Sequence, residues 1–274
     1  MRTKKRGVIA LEVVMLAISA LYMYPFYYMV INTMKTSQDA AFNPLSLPAR
    51  FVFDSYARVF ADTPILNAFK NSLVITVCAV GLIVLLGSMA AYAISFGRNK
   101  SNTFFMFYLL AGFMIPMQSS LIPLFEIMTK LHLIDKLSGI ILFYSQGCVF
   151  AFFLYLGFMR SFPSELEEAA IIDGCGPFQV FTKVVFPLLK PITTTVIIYH
   201  TMWTWNDFLF ANEFLNSRSN STLILEIFRA KGQFSTEWST FMAMLVIVLA
   251  PSLVFFLFMQ KHIIKGLMGG AIKG

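Results

Sequence analysis

The sequence predicts an all-α membrane protein that crosses the bilayer with six helices. Hydrophobic residues make up 58% of the 274 residues, charged residues only 13%, and the mean hydropathy is +0.73. A soluble domain cannot bury that much apolar surface. The apolar residues also form long unbroken runs, whereas the strands of a transmembrane barrel would alternate apolar and polar positions.

Six runs reach the length of about 20 mostly apolar residues that a helix needs to cross a bilayer. We predict a single transmembrane domain over 1–274, with spans near 8–31, 71–96, 103–125, 139–160, 191–211 and 240–260. The first run follows MRTKKRG and so resembles a signal peptide. It is longer than the apolar part of a signal peptide, and we therefore predict an uncleaved first span.

The distribution of Lys and Arg predicts that both termini are cytoplasmic. With the N-terminus inside, the cytoplasmic segments hold 12 of the 21 basic residues and 4 acidic ones. The outer segments then hold 9 basic and 8 acidic residues over a greater length. KKR at 4–6 and GRNKSN at 97–102 contribute most of this difference. We therefore expect the net charge of +7 to serve membrane orientation, and we expect no nucleic-acid partner.

Prolines and small residues mark the predicted spans. Pro25 in the first span and Pro116 and Pro123 in the third are predicted to kink their helices. In the third span this is either an ordinary kink or a break beside a solute pathway, with Pro116 and Gln118 as candidate pathway residues. The second span is predicted to pack tightly through its small residues, which are Gly81, Gly87, Ser88, Ala90, Ala91 and Ala93.

Two acidic residues, Glu12 and Asp207, fall within the predicted spans, where charge is costly and usually faces the protein interior. Glu12 is close to the basic N-terminus. Asp207 lies in TMWTWNDFLFAN beside Trp203, Trp205 and Asn206. These side chains either contact a hydroxyl-rich solute or form an interfacial aromatic belt.

The stretch SELEEAAIIDGCGPFQVFTKVVFPLLKP at 164–191, most of the predicted cytoplasmic segment 161–190, interrupts the apolar runs. Ser164 and Glu167 form a capping-box pattern, and Gly174 suits a helix C-terminus. Pro177 suits the start of a second helix, and Pro187 and Pro191 are expected to break the chain before the fifth span. The pattern therefore predicts a helix, a glycine turn and a second helix.

This segment has two interpretations. The small pair Ala169–Ala170 and the corner Gly174–Gly176 would permit close approach by another protein. Alternatively, the segment is an amphipathic loop on the membrane surface. Its acidic residues argue against the second interpretation, because the inner leaflet is itself anionic.

The residues suggest neither a metal site nor an ATP site. Cys78, Cys148 and Cys175 are far apart and have no metal-ligand spacing, and the three histidines are scattered. No G-x-x-x-x-G-K-[ST] loop is present, so an ATP-driven process would need a partner that carries one.

At this segment the chain resembles the permease subunits of binding-protein-dependent ABC importers. The residues that match their cytoplasmic signature are Glu168, Ala169, Ala170, Asp173, Gly174 and Pro187. Phe186 and Cys175 depart mildly from it. MIPMQSSLIPLF at 114–125 and WTWNDFLFA at 203–211 resemble signatures of carbohydrate importers. QKHIIKGLMGGAIKG at 260–274 resembles the tail of the smaller permease of maltose-type systems.

The resemblance implies a type I ABC importer permease bundle whose cytoplasmic coupling helix, near 168–177, docks on an ATPase subunit. It implies a second homologous permease, two ATP-binding subunits that hold ATP and Mg, and an extracellular solute-binding protein. The chain itself would be no enzyme and would bind no cofactor. It would lie in a bacterial plasma membrane and move a sugar or related polar solute by alternating access, with the residues around 116–118 and 203–207 as candidates for the pathway.

Two alternatives belong to other classes. An ion-gradient-driven secondary transporter would place coupling carboxylates or broken helices near mid-membrane, whereas Glu12 and Asp207 lie toward the ends of their spans. An intramembrane enzyme would need a metal cluster or a nucleophile–base pair, and the sequence shows neither.

Overall fold

The structure, a computed structural model, describes residues 2–96, 100–163, 165–233 and 237–271, and this part of the chain is helical without a β-strand. Its α-helices in chain order are α1 (Arg2–Thr33), α2 (Ser37–Phe42), α3 (Asp54–Asp62), α4 (Ile65–Phe96), α5 (Lys100–Phe113), α6 (Leu121–Lys130), α7 (Leu137–Ser145), α8 (Cys148–Met159), α9 (Glu165–Ile172), α10 (Pro177–Val180), α11 (Phe186–Leu188), α12 (Lys190–Trp205), α13 (Leu209–Phe214), α14 (Leu223–Gln233) and α15 (Trp238–Ala271). Two 3₁₀ turns, Met117–Ser120 and Arg218–Asn220, and a π-helix, Phe181–Val185, lie between them.

Among the described residues, four helical stretches are long and apolar enough to cross a membrane. They are Leu11–Thr33, Ile65–Phe96, Leu137–Met159 and Trp238–Lys261. Two bent helix pairs bring the number to six if each pair is one span. The all-helical prediction is therefore confirmed, and the four to six candidate spans agree with the predicted six if each bent pair is one span.

The third predicted span is broken at its first proline. Ser101–Phe113 and Met117–Lys130 meet at 85°. Pro116 has no N–H to donate and disfavours helical geometry at Ile115, so α5 ends before it. Pro123 lies in the first turn of α6, where a missing N–H costs nothing. Pro25 lies inside the continuous α1, so the predicted kink did not break that helix.

The fifth predicted span, 191–211, has different bounds in the structure. Pro177–Leu188 and Lys190–Trp205 meet at 76°, in agreement with the break predicted around Pro187 and Pro191. At the other end the helix stops short of the predicted bound, since α12 ends at Trp205 and a new helix, α13, begins at Leu209. Asn206 and Asp207 are a local signal of this interruption, because both residue types favour helix ends and N-caps, and the prediction did not use it.

The described chain forms two compact units, Met1–Leu66 with Glu226–Pro251 and Asn67–Leu225 with Ser252–Gly274. The single transmembrane domain predicted for 1–274 stays a prediction. In the first unit, the C-terminal end of α1 is tied to α3 and α15. Tyr56 Oη donates to Thr33 Oγ1 (3.0 Å), and Trp238 Nε1 donates to Tyr28 Oη (3.1 Å).

The second unit contains two apolar cores. One joins α4, α8, α9 and the π-helix, and its largest fully buried side chains include Tyr155 and Phe152. The other joins α4, α6, α7 and α13 around Phe143 and Phe214. The predicted tight packing of the second span is confirmed where α4 meets α8, since a Cβ on Gly87 would lie 2.9 Å from Ala151 Cβ.

The turn between α6 and α7 is held by Asp135, which has a positive φ of 57°. Its Oδ1 accepts hydrogen bonds from the N–H groups of Asn216 and Ser217 and from the Ser217 hydroxyl, at 2.9–3.0 Å. Burial tends to raise the pKa of Asp135, but these bonds and one from Asn220 outweigh it and hold the pKa below its usual value.

Candidate functional site

The segment predicted to contact a partner has the predicted order of helix, glycine corner and helix. Glu165, Glu167 and Glu168 occupy the first turn of α9, where the helix dipole favours negative charge. Ser164, the predicted N-cap, lies outside the described residues. Pro177 is the first residue of α10, and the Gly176 N–H before it donates to Gln179 Oε1 (3.2 Å).

The corner itself is a Schellman motif centred on Gly174, whose φ is +83°. The Gly174 N–H donates to the Ile171 carbonyl (2.9 Å), and the Cys175 N–H donates to the Ala170 carbonyl (3.0 Å). Glycine adopts this left-handed conformation without the strain that a Cβ would bring. A Cβ at Gly174 would meet nothing within 4 Å, so the need for glycine within this chain comes from φ alone.

The corner is fastened to the apolar core of the second unit. Tyr92 Oη in α4 donates to the Pro177 carbonyl (3.2 Å), and the Tyr92 ring lies 5.3 Å from that of Phe181. Val180, Phe181 and Val185 are buried. A force applied at the corner is therefore applied to α4 and to the π-helix as well.

The predicted docking residues divide into an outward and an inward set. The exposed ones are Glu168, Ala169, Asp173, Gly174 and Pro187. Ala170 is buried within its own chain, so of the small pair Ala169–Ala170 only Ala169 is exposed to a partner in this structure. Its carbonyl closes the Schellman motif and its methyl group packs in the core, which fixes it inward.

Two large apolar side chains on this surface were missed from the sequence. Ile172 is 84% exposed and Phe178 is 68% exposed, on either side of the glycine corner. A signal was available, because Ile172 lies two residues after Ala170 and hence about 200° around the helix from it. Together they place apolar surface on both sides of the glycine corner, on a segment that also carries exposed acidic residues.

A cavity of about 810 Å³ lies in the second unit where two helix breaks face each other. One break is the proline turn after α5. The other is the interruption between α7 and α8 at Gln146 and Gly147. Residues of α5, α6, α7, α8 and α12 complete the lining. Irregular backbone at membrane depth is tolerated where it lines a cavity or is buried in protein.

The structure brings some of the predicted pathway residues to this cavity and leaves others outside it. Pro116 and Trp203 line it. Gln118 is exposed and is not among the lining residues. Trp205 packs edge-on against Phe69, at 5.9 Å between ring centroids. The cavity also includes polar and aromatic residues that were not predicted, among them Tyr108, Tyr144, Gln146, Tyr199 and His200.

Asp207 and Asn206 have structural partners. Tyr144 Oη donates to Asp207 Oδ2 (2.7 Å), and the same oxygen accepts from the N–H groups of Phe210 and Ala211 (3.1 Å each). Asp207 thus caps the first turn of α13. Asn206 Nδ2 donates to the carbonyl of Met202 (2.7 Å). Asp207 acts on the cavity through Tyr144, which lines it.

Gly147 permits a close approach that the cavity wall requires. A Cβ there would lie 2.7 Å from Cε1 and 2.9 Å from Nδ1 of His200. His200 is 3% exposed, and its ring also lies 6.0 Å from that of Phe150. The break in the fourth span therefore leaves room for a polar ring inside the bundle.

The cavity has the chemistry of a site for an uncharged, partly apolar solute. No Lys, Arg, Asp or Glu occurs among the described residues that line it. Aliphatic and aromatic side chains form most of its wall, and a few hydroxyl, amide and imidazole groups accompany them. Binding sites for small molecules are commonly built in this way, with apolar walls and a few oriented polar groups.

Within the described ranges, no group of three or more His, Cys, Asp or Glu residues is arranged to hold a metal ion. Cys78, Cys148 and Cys175 are free thiols.

The second unit thus combines broken, apolar helices, a cavity without a charged residue among its described lining and an exposed glycine corner, as a membrane transport protein would. Comparison with known proteins identifies the family. The profile of the family described as "Binding-protein-dependent transport system inner membrane component" matches residues 83–269. The chain belongs to this family.

Curated relatives cover nearly the whole chain. The probable starch degradation products transport system permease protein AmyC of Thermoanaerobacterium thermosulfurigenes is 33% identical over 258 residues, 94% of each chain. The melibiose/raffinose/stachyose import permease protein MelC of Bacillus subtilis is 32% identical over 276 residues, 100% of this chain and 99% of its own. These matches give no support to the ion-gradient alternative.

Solved structures support the same fold. A chain of a bacterial ABC transporter involved in the import of the acidic polysaccharide alginate superimposes with a TM-score of 0.86 at 22% identity, over 95% of this chain and 98% of that one. A chain of an alginate ABC transporter in complex with its pentasaccharide-bound periplasmic protein gives 0.64 at 16% identity. The fold is that of a type I importer permease, a multi-pass membrane protein.

Proposed function

We propose that this chain is the permease subunit of an ATP-driven sugar importer and moves an oligosaccharide or related polar solute by alternating access. The family membership establishes the type of transporter. The sugar is inferred from relatives such as AmyC, a probable permease for starch degradation products, and MelC, an import permease for melibiose, raffinose and stachyose. The uncharged aromatic cavity agrees with it, because sugar rings offer apolar C–H faces and hydroxyl groups together.

The observation that carries the proposal is the exposed apolar pair on the glycine corner. Ile172 and Phe178 present large apolar side chains from a turn fixed by the Schellman motif and by Tyr92. Such a surface suits a groove on an ATPase subunit. Closure of two such subunits on ATP would displace the corner, and with it the helices packed against it.

The remaining features of the transporter follow from the same proposal. The corner and both termini face the cytoplasm, as the distribution of basic residues favours. A second homologous permease completes the pathway, two ATPase subunits bind ATP and Mg, and an extracellular solute-binding protein delivers the solute. The membrane is the plasma membrane of a bacterium.

Photo-crosslinking in the native host tests the docking surface. A photoreactive amino acid at position 172 or 178 is expected to capture a protein that carries a G-x-x-x-x-G-K-[ST] loop, identified by mass spectrometry. The matched control is Leu253, an apolar residue of α15 that is 53% exposed. If photoreactive residues at 172 and 178 capture the same proteins as one at 253, the docking role is contradicted.

Uptake by cells tests the solute class. A strain that lacks this chain should lose ATP-dependent uptake of one or more labelled neutral oligosaccharides, and the wild-type gene should restore it. Uptake that persists without ATP but follows an ion gradient would overturn the proposal.

A further inference from the structure

The segment after the first span folds back along the outer end of that span. Asn43, Pro44 and Leu45 follow α2, and each of their carbonyls accepts a hydrogen bond from a side chain of α1 or the turn that follows it. Lys35 Nζ donates to the Asn43 carbonyl (2.7 Å), Asn32 Nδ2 to that of Pro44 (2.9 Å), and Tyr27 Oη to that of Leu45 (3.2 Å).

These bonds set the depth of the segment along α1. Tyr27 precedes the last residue of α1, Thr33, by six positions, which is about 9 Å of helix. The stretch Leu11–Thr33, of 23 residues, is about 35 Å long and thus slightly exceeds a hydrocarbon core of about 30 Å. The Leu45 carbonyl therefore lies alongside the last turns of the span rather than beyond them.

Aromatic side chains at the same level indicate a membrane interface. Tyr27 and Tyr28 lie near the end of α1, and Tyr28 Oη accepts from Nε1 of Trp238, the first residue of α15. Tyrosine and tryptophan concentrate at the level of the lipid headgroups. The aromatic residues Tyr27, Tyr28 and Trp238, at the ends of α1 and α15, therefore lie beside the folded-back segment.

The side chains of the segment face outward and are apolar. Phe42 is 83% exposed, Leu45 is 51% exposed and Leu47 is 72% exposed. The sequence AFNPLSLPA at 41–49 contains no charged residue. This exposed apolar surface continues that of α1, since only 6% of the apolar stretch in Leu11–Thr33 is buried within the chain.

The backbone of the segment is also suited to a lipid environment. Three successive carbonyls are bonded within the protein, and the two prolines of 41–49 have no N–H to leave unbonded. A chain segment in contact with lipid needs its polar backbone groups satisfied internally, because few water molecules reach it. A loop that is exposed to bulk water has no such need.

We propose that residues 42–47 form a membrane-interface anchor, which inserts Phe42, Leu45 and Leu47 into the boundary between lipid headgroups and acyl chains at the C-terminal end of α1. Insertion to a depth of about 5–10 Å is usual for interfacial segments. The anchor would hold the end of the first span at a fixed height in the bilayer.

Spin-label accessibility tests this proposal on the full-length chain in phosphatidylcholine vesicles. In a background where the three native cysteines are replaced by alanine, single labels are placed by F42C, L45C and L47C. L21C in the middle of α1 is the lipid reference, and A57C on the exposed side of α3, one turn from Asp54, is the water reference. Collision rates are measured with oxygen, which concentrates in lipid, and with a nickel chelate, which stays in water.

The expected ratio of oxygen to nickel collisions at the three anchor positions is several-fold above that of A57C and approaches that of L21C. Tyr27→Phe, which removes only the hydrogen bond to Leu45, should lower the ratio at position 45 and leave it unchanged at position 21. Ratios equal to that of A57C would overturn the proposal, because the segment would then lie in water. Labels that collide with neither reagent would also overturn it, because a protein surface would then cover the patch.

Discussion

Replacement of Gly174 by valine is the most direct test of the proposal that the glycine corner couples ATP hydrolysis to transport. The residue has φ +83°, and its N–H and that of Cys175 close the Schellman motif on α9. Valine in that conformation is strained, whereas the space around the position is open, since a Cβ would meet nothing within 4 Å. The substitution therefore perturbs the backbone angle without a clash inside the chain.

The magnitude follows from that single cause. A non-glycine residue held at an unfavourable positive φ costs on the order of 1–3 kcal/mol. If the corner can instead relax to another conformation, the native corner becomes less populated by about 5- to 150-fold. Ile172 and Phe178, which flank the corner, would then lose their relative placement. We expect Gly174→Val to lower solute uptake strongly while ATP hydrolysis by the assembled transporter continues.

A graded series gives this prediction its control. Gly176 is two residues away, also exposed and in open space, but has φ −72°, so Gly176→Val adds the same side chain without the same strain. Asparagine tolerates positive φ better than alanine or valine. Uptake per ATP hydrolysed in reconstituted vesicles should therefore be reduced least in Gly174→Asn, more in Gly174→Ala and most in Gly174→Val. The Gly176→Val variant should remain near wild type. Equal losses for the two valine variants would refute the role of φ.

Three further predictions concern the second unit. Tyr144→Phe removes the donor at 2.7 Å from Asp207 and should destabilise the chain by about 1–3 kcal/mol in urea unfolding; wild-type stability would contradict the bond. Gly147→Ala places a methyl group 2.7 Å from the His200 ring and should cost about 1–3 kcal/mol by overpacking. His200→Ala in the same chain should recover part of that loss, and additive losses would refute the contact. The low pKa of Asp135 stabilises the fold above the unfolded value of about 3.9, and this stability should disappear as the pH falls through the lower folded pKa. Thermal unfolding from about pH 6 to pH 3 should show this loss in wild type, and it should be smaller in Asp135→Asn.

The sequence predicted the parts of the fold that depend on local chemistry. Apolar run length located the spans, and Pro116 and Pro187 located two breaks, because a missing N–H acts on its own helix wherever the rest of the chain lies. Gly174 was placed correctly for the same reason, since its conformation is a property of the helix end. The resemblance to importer permeases then supplied the family.

The residues that line the cavity were less predictable, because they come together only through packing. Tyr144 lies on α7, whereas Tyr199 and His200 lie on α12, and nothing near them in the sequence distinguishes them from other aromatic residues of a membrane bundle. Asp207 was predicted as a pathway residue from its cost in the membrane. In the structure that cost is met by Tyr144 and by the first turn of α13, whose start is marked in the sequence only by the polar pair Asn206–Asp207.

The helix α8 connects the glycine corner with the cavity. Its C-terminal residues Leu156 and Met159 belong to the core that also contains Ala170, Val180 and Val185 of the coupling segment. Its N-terminal residues, Val149 and Phe150, line the cavity. The helix has 12 residues and is therefore about 18 Å long.

A packed core resists compression, so we expect a displacement of the corner to move α8 as a body. The helical ladder is interrupted at Gln146 and Gly147, where the His200 ring occupies the space that a Cβ would fill. We therefore expect motion at the corner to reach the cavity wall at this interruption. If an ATPase subunit docks at the corner, as proposed, α8 would link its ATP-driven closure to solute access.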